Sequence, residues 1–125
     1  MAGRFQGDLP DRTLDFAVQI VRLIDELPQN TKGWEIGRQL LRSGTSIGAN
    51  VREADEAYSE GDFVYKCSLA RKEASETLYW LTICERCGFL TAEHAEHAKR
   101  EAHELACILS AIIKKVQSRK LAAIV

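Results

Sequence analysis

The chain has 125 residues, 46% of them hydrophobic, a length and content that suit one packed core and leave little room for two domains. A formal net charge of −1 lacks the basic excess of a dedicated nucleic-acid binder, and two prolines and eight glycines are too few for a many-stranded β fold. No apolar run reaches the roughly 18 residues of a membrane span, and the opening MAGRFQGDLP lacks the apolar centre of a signal peptide, so the expected location is the cytosol.

Asp8, Pro10 and Asp11 supply the proline and acid signals of a first helical turn, and a helix is expected over about 11–27. Leu14, Ala17, Val21 and Ile24 recur along it at helical spacing, with a second stripe of Phe16, Ile20, Leu23 and Leu27 beside them. Only Arg12, Asp15, Gln19, Arg22 and Glu26 are left as a wet face, so this helix carries more apolar surface than one core needs.

Pro28, Gln29, Asn30 and Gly33 break the pattern, and a second helix is expected over about 34–58, with Ile36, Leu40, Ile47, Val51 and Ala54 inward. Its middle, Ser43 to Asn50, is poor in helix formers, and each glycine costs about 1 kcal/mol relative to alanine. A tertiary contact must hold it: Gly44 and Gly48 share one face and admit another backbone, while Ser43, Ser46 and Asn50 could hydrogen-bond across that contact. The alternative is a loop that splits the segment into two shorter helices.

A third helix is expected over about 62–87, capped by Asp62 or Ser59, lined by Phe63, Cys67, Ala70, Ala74, Leu78, Leu81 and Cys84, and ended by Gly88. The fourth, over about 91–118, starts at a Thr91 cap and turns Ala95, Ala98, Ala102, Leu105, Leu109, Ile112 and Val116 inward. Connections this short make neighbours antiparallel, so the fold class is an all-α, up-down-up-down four-helix bundle. Cys67, Cys84, Cys87 and Cys107 all fall in helical patterns and read as reduced packing thiols.

Three constellations bear on chemistry. Glu53-x-x-Glu56 and Glu73-x-x-Glu76 each put two carboxylates on one helix face, where two antiparallel helices could hold Mg²⁺ against a triphosphate, as in all-α nucleotide pyrophosphohydrolases. Those enzymes use aspartate at the last position, and the same spacing recurs at 93–96 and 101–104 as ordinary helix surface, so structural ion pairs are the favoured reading. Cys84-x-x-Cys87 with His94-x-x-His97 has the residue types of a zinc set without the spacing of a common finger, and packed thiols with surface histidines are favoured. Finally, Lys114, Lys115, Arg119 and Lys120 crowd the last residues without an acid, either as a contact tail or as cations complementing the end of a helix dipole.

Two blocks of sequence carry a family resemblance. Arg42 to Val51 with Glu53-Ala54, then Asp62-Phe63, Lys72-Glu73-Ala74, Glu76-Thr77 and Tyr79-Trp80-Leu81, closely resemble the bacterial bundle proteins named for open reading frames in intervening sequences of 23S rRNA genes, over about residues 8–115. The resemblance implies a closed four-helix bundle that assembles into a ring, commonly a homopentamer, without known enzymatic activity; no cofactor and no metal are expected. A related protein, the accessory variability determinant of diversity-generating retroelements, is strongly basic where this chain is nearly neutral, and binds nucleic acid and a reverse transcriptase. A ring also accounts for the double stripe of the first helix and for the row Trp80, Ile83 and Cys87.

The expected function is therefore binding: to other copies of the chain, and to RNA, a ribonucleoprotein or a nucleic-acid-handling protein. Arg42, Arg52, Lys114, Lys115, Arg119 and Lys120 are the phosphate candidates, while Ser46, Asn50, Glu53, Glu73, Glu76, Tyr79 and Trp80 are expected to be structural or interfacial. A protein scaffold and a Mg²⁺-dependent nucleotide hydrolase are the alternatives.

Overall fold

A computed structural model describes residues 3–5 and 7–124, and within them the chain forms four helices: α1 (Leu9–Leu23), α2 (Thr31–Asp55), α3 (Glu60–Arg86) and α4 (Ala92–Ile124). Each helix packs on the next and α4 closes back on α1, so the four surround one core. Cross-helix pairs record the antiparallel order: Arg12 of α1 meets Glu101 of α4 near one end, while Glu26, just beyond α1, meets His94 near the other.

Local chemistry explains where the expected boundaries moved. After α1 the chain tightens into one 3₁₀ turn over Ile24–Glu26 and extends at Leu27, because Pro28 cannot continue a helix. The α2 helix begins at Thr31, earlier than residue 34, because the Asn30 side chain accepts a hydrogen bond from Gly33 N at 3.1 Å. It runs unbroken to Asp55, so no loop divides the glycine-containing segment. Ser59 is the cap of α3, accepting from Asp62 N at 3.1 Å. Gly88 adopts φ 72°, a left-handed position that ends α3 and lets Phe89 N reach back to Cys84 O at 2.8 Å. The Thr91 hydroxyl accepts from His94 N at 3.2 Å, and α4 continues past residue 118 through a stretch of good helix formers, Arg119 to Ala123.

Of the two apolar stripes on α1, the core takes Phe16, Ile20 and Leu23 together with Thr13. Leu40, Ile47 and Val51 of α2, Leu81 of α3, and Leu105 and Leu109 of α4 complete the fully buried centre. Each such side chain contributes about 1.5–3 kcal/mol through its removal from water. Two expected core positions shift by one residue: Thr77 is buried where Leu78 is half-buried, and Ile113 is buried where Ile112 is half-buried. Small residues set how closely the helices approach. A Cβ on Gly44 would lie 2.9 Å from the Ile20 side chain, and one on Gly48 would lie 3.2 Å from the Thr13 carbonyl oxygen, so α1 beds directly on the glycine face of α2.

Candidate functional site

The two sequence blocks face each other across the seam between α2 and α3. Deep in the seam, Thr77 Oγ1 lies 3.0 Å from Ser43 Oγ and 2.7 Å from the Glu73 carbonyl, so a hydroxyl pair joins the helices inside the core. Above it, Arg42 Nη1 donates to Glu73 Oε2 at 3.1 Å and its Nη2 reaches the Glu76 carboxylate, one guanidinium spanning two acids a turn apart. Farther along, Lys66 meets Glu53 at 3.4 Å. Ser46 and Asn50, in contrast, bond within their own helix, to the carbonyls of Arg42 at 2.6 Å and Ser46 at 2.9 Å. They make no bridge to α1 of the kind the glycine face suggested. Tyr79 stands exposed with its ring edge-on to Trp80, centroids 5.1 Å apart, while the Trp80 indole nitrogen is buried without a hydrogen-bond partner among the described residues.

This geometry redistributes the candidate residues. Arg42 is held by Glu73 and Glu76, so among the described residues it is the one phosphate candidate with an ion pair. Glu53, Glu73 and Glu76 each face a cation of the same chain, Glu56 is exposed at the end of α2, and among the described residues no three His, Cys, Asp or Glu side chains converge to hold a metal. The zinc candidates separate as well: Cys84 is buried, Cys87 is exposed, and His94 Nδ1 pairs with Glu26 Oε2 at 2.7 Å. That carboxylate raises the His94 pKa above its ordinary 6.5. All four cysteines are free; burial pushes the Cys67 and Cys84 thiols up to about 11, whereas Cys87 and Cys107 reach the surface and are not packing thiols.

Among the described residues two surfaces stand out. The first is the outer stripe of α1, Leu14, Val18 and Val21, at successive turns and 55%, 42% and 51% exposed, with Leu41 and Trp34 of α2 alongside at 38% and 63%. One groove runs between α1 and α2, lined by Leu14, Ala17 and Gly48, and another between the connection at 24–29 and α2, lined by Leu27, Trp34 and Leu41. Arg52 borders the first of them.

The second is the end of the bundle where α2 passes into α3 and α4 runs past both. Lys114, Lys115, Arg119 and Lys120 are exposed on α4, and among the described residues none of them has an ion-pair partner. Arg4 joins them from the other terminus of the chain. Its Nε donates to Ala57 O at 2.6 Å, and its backbone N donates to Asp55 O at 3.1 Å. Phe5 N donates to the Asp55 carboxylate at 2.8 Å, and the Phe5 ring packs on Phe63 with centroids 5.2 Å apart. Neither Arg4 nor Phe5 carries a local signal; both are placed by contacts some 50 residues away in sequence.

The sequence profile described as 23S rRNA-intervening sequence protein matches residues 8–111. A solved structure of a protein of unknown function from the S23 ribosomal protein family of Bacteroides thetaiotaomicron is 44% identical, with a TM-score of 0.80, covering 85% of this chain and 98% of that one. No curated protein matches the chain.

Proposed function

Because the chain belongs to the 23S rRNA-intervening sequence protein family, we propose that it is a non-enzymatic, homo-oligomeric bundle of the cytosol that binds RNA or a ribonucleoprotein through the basic end of α4. The observation that carries this reading is the set Lys114, Lys115, Arg119 and Lys120, four exposed cations within seven residues of α4 that have no ion pair among the described residues and no acid nearby in sequence, whereas other unpaired cations, Arg22, Lys32, Arg71, Lys72, Arg86 and Arg100, each have an acid within three residues. Unpaired cations release counterions from a phosphate backbone at little cost, whereas paired ones must first give up a carboxylate. The solved relative is named for a ribosomal protein family, which agrees with an RNA-bearing target. Arg52, also exposed and unpaired among the described residues, borders the apolar groove on α1 and belongs with self-association.

Self-association is supported by the large apolar side chains left exposed on two adjacent helices, Leu14, Val18 and Val21 on α1 and Trp34 and Leu41 on α2, more than one chain covers. A ring, commonly of five, follows the family pattern, and assembly multiplies each chain's weak basic patch. Binding is favoured over hydrolysis because three of the four glutamates that would hold Mg²⁺, Glu53, Glu73 and Glu76, are engaged by Lys66 and Arg42.

The test is fluorescence anisotropy of a labelled structured RNA at rising salt. Binding at low ionic strength that weakens as salt increases supports the proposal. No binding at low salt, or binding indifferent to salt, removes its electrostatic basis.

A further inference from the structure

The basic end contains a formed cleft of about 410 Å³ as well as charge. Arg4, Lys115 and Arg119 line it together with the packed Phe5 and Phe63 rings and with Glu60 from the first turn of α3. Its volume falls in the range of small-ligand sites. One wall is fixed by the N-terminal segment: Gly3 lies so close to the Asp55 carboxylate that a Cβ there would overlap it, and Arg4 and Phe5 are tied to Asp55 and Ala57 by three hydrogen bonds. The Asp55 carboxylate accepts from Phe5 N and does not line the cleft, whose charged lining is three cations against the single carboxylate of Glu60.

Aromatic surface next to unpaired cations is the combination that single-stranded nucleic acid uses, with bases laid on rings and phosphates on guanidinium and ammonium groups. Duplex RNA hides its bases and would meet only the cations. We infer that this cleft receives one nucleotide unit of a single-stranded nucleic acid, its base against Phe5 and its phosphate on Lys115, Arg119 and Arg4. This rests on the nucleic-acid reading above and adds to it a strand preference and a place. Glu60 accepts hydrogen bonds from amino groups of the base and repels the phosphate, which is left to the cations.

Two measurements test it. The first is anisotropy of a labelled ten-residue oligoadenylate and of a hairpin duplex of equal charge, on the full chain and on Phe5→Leu, Phe5→Tyr and Arg119→Ala. Phe5→Leu keeps apolar volume while removing the ring: it should weaken single-strand binding about tenfold and leave the duplex unchanged, with Phe5→Tyr near the parent. Arg119→Ala should weaken both. Equal single-strand binding by the parent and Phe5→Leu, or displacement of the oligonucleotide by polyglutamate at matched charge, overturns the inference and leaves general RNA binding standing.

The second is an NMR titration with adenosine monophosphate against inorganic phosphate. Shifts of the Phe5 and Phe63 rings with the nucleotide but not with phosphate support the cleft even if no structured RNA binds, and identical responses to the two overturn it.

Discussion

Ser43 and Thr77 meet hydroxyl to hydroxyl at 3.0 Å in the interior of the bundle, both fully buried, one on each side of the α2–α3 seam. Each hydroxyl also reaches a carbonyl of its own helix, Glu73 O at 2.7 Å for Thr77 and Leu40 O at 3.4 Å for Ser43, so the pair is a satisfied polar link between the two helices. Thr77→Val should cost about 1–2 kcal/mol by leaving the Ser43 oxygen without the Thr77 hydroxyl. The double variant with Ser43→Ala should cost less than the sum of the two single changes, because both ends of the bond are then gone. Urea unfolding of the four-member mutant cycle measures the coupling.

Gly44 and Gly61 should answer alanine with opposite signs. At Gly44 the new methyl meets Ile20 at 2.9 Å in a filled core, and overpacking of this kind costs about 1–3 kcal/mol. At Gly61, in the exposed first turn of α3, the nearest atom is 3.9 Å away, and the gain in helix propensity is about 0.5–1 kcal/mol. Thermal melts of the two variants decide both.

The α1 stripe predicts a change in mass. Leu14→Glu and Val21→Glu alter residues that a lone chain leaves exposed, so helix content should hold by circular dichroism while light scattering falls toward the 14.0 kDa of one chain. A parent that already scatters as a monomer at micromolar concentration contradicts the assembly.

Arg42 and the α4 cations should separate in RNA binding. Arg42→Ala removes a partner from Glu73 and Glu76 and should leave RNA affinity nearly unchanged, with a stability cost of about 1 kcal/mol or less because the pair is half exposed. Lys115→Ala with Arg119→Ala should weaken binding across sequences and flatten the logarithmic salt dependence by about one for each phosphate that is no longer neutralised.

His94 should titrate above 6.5, with Glu26 as the main cause. A histidine whose folded pKa is raised stabilises the fold below its unfolded pKa, and that contribution is lost as pH rises through the raised value. The imidazole resonances followed by NMR should therefore show a raised midpoint that falls back in Glu26→Gln.

Helix number, order and most inward positions were legible because each depends on spacing within one segment: Phe63, Cys67, Ala70 and Ala74 declare their face by recurrence alone. Boundaries moved where a single side chain decides, as with the caps at Asn30 and Ser59. On α1, periodicity showed two stripes and could not rank them; the glycine face of α2 did, by admitting Ile20 and leaving Leu14 outside. The candidate site was legible in its cations on α4 and illegible in Arg4 and Phe5, whose roles come from contacts with Asp55, Ala57 and Phe63. Arg12 shows the same limit: periodicity puts it on a wet face, yet it clamps Glu101 at 2.7 Å and Glu104 at 2.6 Å, and in doing so holds the Glu101 carboxyl below the usual range.

The unequal lengths of the helices have a dynamic consequence. At 15 residues α1 is less than half as long as the 33-residue α4, and it is fastened to that helix mainly by the Arg12 clamp at one end and the Glu26–His94 pair at the other, with an open cleft of about 1040 Å³ between them. Amide protons of α1 should then exchange with solvent through a partial opening in which this first arm swings away while the remaining three helices stay closed. Copies that bury the outer stripe of α1 would slow that breathing, so assembly would be readable as protection of a single helix.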